Sequence, residues 1–258
     1  MTHLNHDNRP ADRASDSTRE YFDQVSGGWS ERYRNRRFRD RLKNGLELLP
    51  EDPRGLTLLD YGCGSGVLTA ALVQRGCHVT AVDPSAGMIR AAEAYLAEQC
   101  PRSDRRYRLE RITGQDTPDE AYRQVDYNGV YCLGVLEYVA DDQELLERLV
   151  CLLKPGGFLV LSVPNAGSVL RRVEGFVFRH PTWFFRWLGL LDHVTGPDSY
   201  LHHQKHQYRL ADLDRRLLKQ QAIRTAARFR VAPSLLGLER CSRVGMTMMV
   251  RYETRDRR

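Results

Sequence analysis

The residues best placed to do chemistry are two carboxylates and a glycine triplet. Leu56-Thr57-Leu58-Leu59-Asp60-Tyr61-Gly62-Cys63-Gly64-Ser65-Gly66 runs an apolar stretch into a G-x-G-x-G turn, with the amphipathic segment Val67–Gln74 behind it. Asp60 ends the apolar stretch, and Asp83 ends the next one, twenty-one residues beyond Gly62. Val67 stands where a dinucleotide-binding loop has its third glycine, and a carboxylate at residue 60 repels pyrophosphate. The same carboxylate welcomes an ammonium group, and the glycines let the backbone approach a nucleoside. An acidic residue closing the second strand reaches ribose hydroxyls. Ammonium at one strand end and ribose at the next describe S-adenosylmethionine better than a nicotinamide dinucleotide. For the glycines taken alone, a tight turn packed for structural reasons is the competing reading.

A second group is His202-His203-Gln204-Lys205-His206-Gln207-Tyr208. Histidine suits proton abstraction near neutral pH, and His203 and His206 are the candidate bases, with Tyr138 as an orienting hydroxyl; a solvated polar loop is the alternative. His202 and His206 have the spacing of a metal clip but no nearby cysteine or carboxylate, so no catalytic metal is expected. A third group is aromatic. His180-Pro181-Thr182-Trp183-Phe184-Phe185-Arg186-Trp187-Leu188-Gly189-Leu190-Leu191 puts Trp183, Trp187 and Leu191 on one helical face, with Phe184 beside them. Against a cleft these residues form an apolar acceptor pocket; at a bilayer they insert, with Arg171, Arg172, Arg179 and Arg186 near the headgroups. Ordinary core packing is the third reading.

These residues need a frame, and hydrophobic periodicity supplies one. Short apolar runs alternate with amphipathic stretches: Leu56–Asp60 then Val67–Gln74, His78–Asp83 then Ala86–Glu98, Tyr107–Ile112, Val125–Leu133 then Asp141–Leu153, and Phe158–Val163. That rhythm predicts a parallel α/β sheet with crossover helices. Asp141-x-x-Glu144 has capping-box spacing before Leu145, Leu146 and Leu149, which sets the start of one helix. The rhythm stops after Asn165 and resumes with a helix over Leu210–Gln220 and strands over Ala222–Val231 and Gly245–Tyr252, so residues 166–208 read as an insertion after the fifth strand. The last two strands, joined through Pro233–Arg240, predict an antiparallel hairpin at the sheet edge. Ahead of the sheet, residues 18–49 carry helical spacing broken at Gly27-Gly28, and 18–54 read as a helical lid; residues 1–17 read as a disordered leader, and 55–258 as the main domain.

Of the 258 residues, 41% are hydrophobic and 28% charged, which fits a globular protein and excludes wholesale disorder. The longest uncharged run, Pro155–Leu170, contains two prolines and three glycines and is shorter than the ~18 residues of a spanning helix. No signal-peptide pattern opens the chain. The six cysteines form no C-x-x-C pair and read as reduced thiols, which points to a cytoplasmic setting. A net charge of +6 is weak support for nucleic acid or an anionic membrane.

Four segments, Leu59–Gly66, Ala81-Val82-Asp83-Pro84-Ser85-Ala86-Gly87-Met88, Leu133-Gly134-Val135-Leu136-Glu137-Tyr138-Val139 and Leu153–Ser162, resemble in order and spacing the successive motifs of the class I S-adenosylmethionine-dependent methyltransferases. The resemblance implies a Rossmann-like, seven-stranded mixed sheet with helices on both faces and its last strand antiparallel. It implies that Asp60, Gly62 and Gly64 hold the methionine moiety, Asp83 the ribose, and Met88 packs on adenine. It also implies that Gln115 and Asp116 stand near the adenine amine and Leu133 beside the methyl group. Cys63, Pro84 and Tyr21 complete the expected cofactor-binding set. Met88 as core and Gln115 and Asp116 as turn residues are the structural alternatives, and Trp29 reads equally as a staple of the lid or a donor contact.

Within that class the pattern is similar to the O-methyltransferases of ubiquinone and magnesium-protoporphyrin biosynthesis. The quinone group carries an acidic residue, a second acidic residue and a histidine where this chain has Gly134, Glu137 and Tyr138, so only Glu137 is kept, as an expected acceptor contact. The implied activity is methylation, foremost on oxygen, of a small or lipid-linked hydrophobic metabolite, with a peripheral contact at the inner membrane face among the expectations. RNA methylation and a non-catalytic, cofactor-binding regulatory subunit are the alternatives. The first is disfavoured because no Asn/Asp-Pro-Pro-Tyr/Phe tetrapeptide follows the fourth strand and no RNA module is recognisable. Acceptor identity and oligomeric state stay open.

Overall fold

The computed structural model describes residues 10–100, 106–112, 121–169, 203–230 and 247–255. Seven strands form one sheet: β1 (Thr57–Tyr61), β2 (His78–Asp83), β3 (Tyr107–Arg111), β4 (Tyr127–Leu133), β5 (Leu153–Pro164), β6 (Ala222–Arg230) and β7 (Thr247–Thr254). Their order is β3-β2-β1-β4-β5-β7-β6. β1 to β5 pair in parallel, and β7 runs antiparallel to both β5 and β6. The final hairpin forms as the sequence suggests, with its second strand inserted between β5 and β6.

The period-2 alternation of the strands sends their side chains to two faces. Leu58 packs with Leu68, Leu72, Val79 and Leu96 under α3 (Val67–Val73) and α4 (Ala86–Gln99). Leu59, its neighbour, packs on the opposite face with Leu146, Leu149, Leu213 and Leu217 from α5 (Asp142–Cys151) and α6 (Leu210–Lys219). Both faces of β1 are therefore covered by helices, and the loops leaving β1, β2 and β4 share one edge. The Asp141 carboxylate caps α5 by accepting from Glu144 N at 2.8 Å, as the spacing indicates.

Ahead of the sheet come α1 (Pro10–Val25), a 3₁₀ turn (Trp29–Arg34) and α2 (Arg36–Leu46). The first helix starts at Pro10, not at residue 18 as apolar periodicity suggests. The polar residues from Pro10 to Ser17 carry no periodic apolar signal, so the sequence pattern does not announce them. The lid is tied to the body over long chain distances: Tyr131 Oη donates to Gly45 O at 3.2 Å, and Arg228 pairs with Glu47 at 3.0 Å. Of the insertion, only 166–169 and 203–208 are described. Ala166 N donates to Tyr208 O at 2.8 Å and Tyr208 N to Pro164 O at 3.0 Å, which closes a neck at the end of β5.

Candidate active site

The site begins where β1 gives way to α3. Gly62 and Gly64 lie at φ +77° and +54°, in the left-handed region that L side chains rarely adopt. The loop amides turn inward: Gly62 N and Cys63 N both donate to Val82 O, at 2.8 and 3.0 Å. A Cβ at residue 62 would run into Val135, and one at residue 64 would sit 3.3 Å from the Trp29 indole nitrogen. The loop is therefore a cradle with Val135 below and the lid above.

Two buried carboxylates flank that cradle. Asp60 Oδ2 accepts from Thr69 Oγ1 at 2.7 Å, and burial, reinforced by the charge of Asp83, pushes its carboxyl up to about 7. Asp83 accepts from Gly64 N (3.0 Å) through Oδ2 and from Ser85 N (2.9 Å) through Oδ1. Burial pushes it up to about 6, and those two amides hold it below where burial alone would take it. Each carboxylate oxygen has a second lone pair, so Asp83 can still accept from a ligand hydroxyl. Neither carboxylate has a cationic partner among the described residues. Unpaired buried charge of one sign is costly, and a ligand carrying an ammonium and a sulfonium relieves it. On that ground the residues present fit S-adenosylmethionine.

The remaining expected donor contacts occupy the same edge. Met88 is buried at the start of α4, with its N–H donated to Ser85 Oγ at 3.0 Å, and Leu133 ends β4 half-buried. The Cys63 thiol is buried, which raises it well above its usual range and makes it a poor nucleophile. Pro84 follows Asp83 into the turn, while Gln115 and Asp116 lie outside the described residues.

The lid presents an aromatic row over this edge. Phe22 meets Tyr21, Trp29 and Tyr138 edge-on at centroid distances of 5.3, 5.5 and 5.4 Å. Tyr21 in turn lies against His203, with centroids 4.5 Å apart and planes 31° from parallel. Structure thus gathers Tyr21, Tyr138 and His203 at one mouth and separates the two candidate histidines. His206 Nε2 is 3.0 Å from Val139 O; a carbonyl only accepts, so that nitrogen carries the proton. The Glu137 side chain is buried, and its backbone oxygen accepts from Lys205 N (2.7 Å) and His206 N (3.3 Å), anchoring the histidine segment. Trp183, Phe184 and Trp187 lie outside the described residues.

Several members of the site escape sequence reasoning. Tyr33 is half-buried within the field of Asp60, and desolvation raises its hydroxyl to about 12. The Arg41 guanidinium sits over residue 134, where a Cβ would lie 2.5 Å from Nη1, and so brings a cation to the end of β4. Thr69 holds Asp60, and Asp23 reaches Ser85. A tyrosine, an arginine and a threonine inside amphipathic helices look like any helix residue until the lid and α3 are folded onto the sheet.

A glycine cradle at the carboxyl edge of a 3-2-1-4-5-7-6 sheet, flanked by buried acids at the ends of β1 and β2, defines the S-adenosylmethionine-dependent methyltransferase class. Residues 31–221 match the methyltransferase domain family, and the chain belongs to it. The ubiquinone biosynthesis O-methyltransferase of Xanthomonas axonopodis pv. citri is 34% identical over 115 residues, covering 44% of this chain and 45% of that protein. Its Xylella fastidiosa counterpart is 35% identical over 111 residues, 43% of each chain. The similarity thus spans less than half the length of these curated relatives. Among solved structures, magnesium protoporphyrin IX methyltransferase from Synechocystis PCC 6803 with bound S-adenosylmethionine superposes over 98% of this chain and 100% of that one, at TM-score 0.61 and 18% identity. A putative S-adenosylmethionine-dependent methyltransferase from Listeria monocytogenes covers 84% of this chain and 99% of its own, at TM-score 0.58 and 18% identity. At these identities the structural likeness speaks to the fold.

Proposed function

We propose that this chain transfers a methyl group from S-adenosylmethionine to a hydroxyl of a small or lipid-linked hydrophobic acceptor, with His203 as the base. The observation that supports the reading is the contact of His203 with Tyr21, a ring of the aromatic row that the lid presents over the cradle. The name of the curated relatives, O-methyltransferases of ubiquinone biosynthesis, supports oxygen as the methylated atom.

The donor supplies an electrophilic methyl group on a sulfonium. The chain's own work is to hold reactants in line and take up the acceptor's proton. With the donor bound, Asp60 would hold its ammonium and Asp83 its ribose, and Arg41 lies where a carboxylate is favoured. His203 would take up the acceptor O–H proton as the methyl group passes from sulfur to the acceptor oxygen, and Tyr138 would orient the hydroxyl. His203→Ala should lower kcat by ~10²–10³-fold, the usual weight of a general base, and leave donor affinity within about threefold of the parent. An acceptor with a more acidic hydroxyl should recover part of the loss. Equal turnover by parent and variant across pH 6–9 would remove His203 from the base role; donor binding without turnover on any phenolic or lipid-linked acceptor would favour a regulatory subunit.

The neck at Pro164–Ala166 and Tyr208 supports a further part of the reading, because it roots the insertion beside the histidine segment. On this reading Trp183, Phe184 and Trp187 contribute to acceptor binding, and a membrane contact is its second arm. Among the described residues, no helix is long and apolar enough to cross a membrane; the contact proposed is a peripheral one. Replacing Trp183 and Trp187 by alanine should raise the acceptor KM at least ~10-fold, the scale of losing buried aromatic area, with donor affinity unchanged. The same variant should no longer sediment with anionic vesicles. A matching loss of donor binding and a large fall in Tm would show the two tryptophans to be core.

A further inference from the structure

Tyr21-Phe22-Asp23 gives two aromatic rings to the mouth of the site, and its third residue has a different destination. Asp23 Oδ1 accepts from Ser85 Oγ at 2.6 Å and from Gly87 N at 2.8 Å. It thereby caps α4 from another part of the chain, since Ser85 is itself the N-cap, accepting from Met88 N. Ser85 N donates to Asp83 Oδ1, so one residue, Ser85, joins the lid carboxylate to the ribose carboxylate. Contact continues along the lid: Ser26 Oγ donates to Asp23 O at 2.8 Å. A Cβ at residue 87 would lie 2.5 Å from Ser26 Oγ and 2.9 Å from Asp23 O, so the lid backbone comes this close only because residue 87 is glycine.

The charge state agrees with this geometry. Burial alone would raise the Asp23 carboxyl, and the bonds from Ser85 and Gly87, with the charges of Arg111 and Arg19, bring it below its usual range. It is therefore ionised at neutral pH and serves both bonds as an acceptor. Meanwhile Trp29 stands over Gly64 and Phe22 beside Trp29, so the segment that Asp23 fastens lies over the cradle.

We infer that Asp23 is a positioning residue that latches the lid helix onto the β2–α4 turn, making closure of the lid and the setting of the ribose carboxylate a single event. The latch rests on the donor site alone and is independent of the acceptor and of His203. Three variants test it. Asp23→Ala removes the acceptor; Asp23→Asn keeps an oxygen that can accept both bonds; Gly87→Ala leaves Asp23 intact, favours α4 by helix propensity, and pushes the lid away.

Two measurements read the outcome. In ligand-free protein, hydrogen exchange at the Gly87 and Met88 amides and along α1 should accelerate at least tenfold in Asp23→Ala and Gly87→Ala and remain near parental in Asp23→Asn. In stopped-flow displacement, S-adenosylhomocysteine should leave the first two variants about tenfold faster or more, the scale of losing a hydrogen bond, and the third within about threefold of the parent. Unchanged exchange in both Asp23→Ala and Gly87→Ala would overturn the latch. Damage by Asp23→Asn equal to that of Asp23→Ala would also overturn it, by assigning the effect to charge instead of to the two hydrogen bonds. Exchange needs no donor, so the latch stands or fails on it whatever the chain binds.

Discussion

Gly62→Ala should abolish measurable donor binding, with affinity down by on the order of 10²-fold or more, while the sheet still forms. Two costs add. An L-residue in the left-handed region costs roughly 1–2 kcal/mol, and residue 62 sits at φ +77°. Its new Cβ also meets Val135, which must shift at roughly 1–3 kcal/mol, the usual price of overpacking. The loop cannot relax freely, because Gly62 N and Cys63 N are both bonded to Val82 O. The second substitution Val135→Ala should restore part of the lost Tm but little of the affinity, since it removes the overlap and not the backbone strain. Calorimetric titration with S-adenosylmethionine, with circular dichroism to confirm the fold, decides the matter. Donor binding within twofold of the parent would show that the cradle is not where the donor sits.

Both the glycine cradle and the strands on either side were open to sequence reasoning for the same reason: their signals are local. Five of the apolar runs lie within a few residues of β1 to β5, and Asp141 caps α5 where the Asp-x-x-Glu spacing puts it. Strand order is not local. Nothing in residues 247–254 says that they lie between β5 and β6 instead of outside them; that follows from pairing partners some ninety residues back in the chain. The lid is the extreme case. Ser85 meets Asp23 across 62 positions and Tyr131 meets Gly45 across 86, and neither pair has a spacing that announces it. Histidine chemistry divides in the same way. Residue type picks out His203 and His206 together, and only the fold places one against Tyr21 and the other against Val139 O.

The buried acids make donor binding a titration. Burial raises both carboxyls of the ligand-free protein, Asp60 to about 7 and Asp83 to about 6. A donor bearing two positive centres prefers the ionised forms, so below those values it must expel protons to bind. Affinity should therefore climb as pH rises through 6 and 7 and level off above, by at most on the order of 10³-fold between pH 5 and 8 when both sites are fully coupled. Stability of the ligand-free protein runs the other way. A carboxyl whose folded pKa is raised stabilises the fold below its unfolded pKa, about 4, and that contribution is lost as pH rises through the folded values. For these two groups the window is therefore pH 4 to 7, and the gain in Tm on adding donor should widen across it. Asp60→Asn keeps an oxygen for Thr69 Oγ1 and removes the titrating proton. The variant should bind more weakly than the parent at pH 8, and its affinity should lose the step near 7 while keeping the one near 6. Titrations of parent and variant at half-unit intervals from pH 5 to 8 measure this directly. A parental affinity flat over that range would mean that neither carboxylate answers the donor's charge, and Asp60 would lose its place as the ammonium's partner.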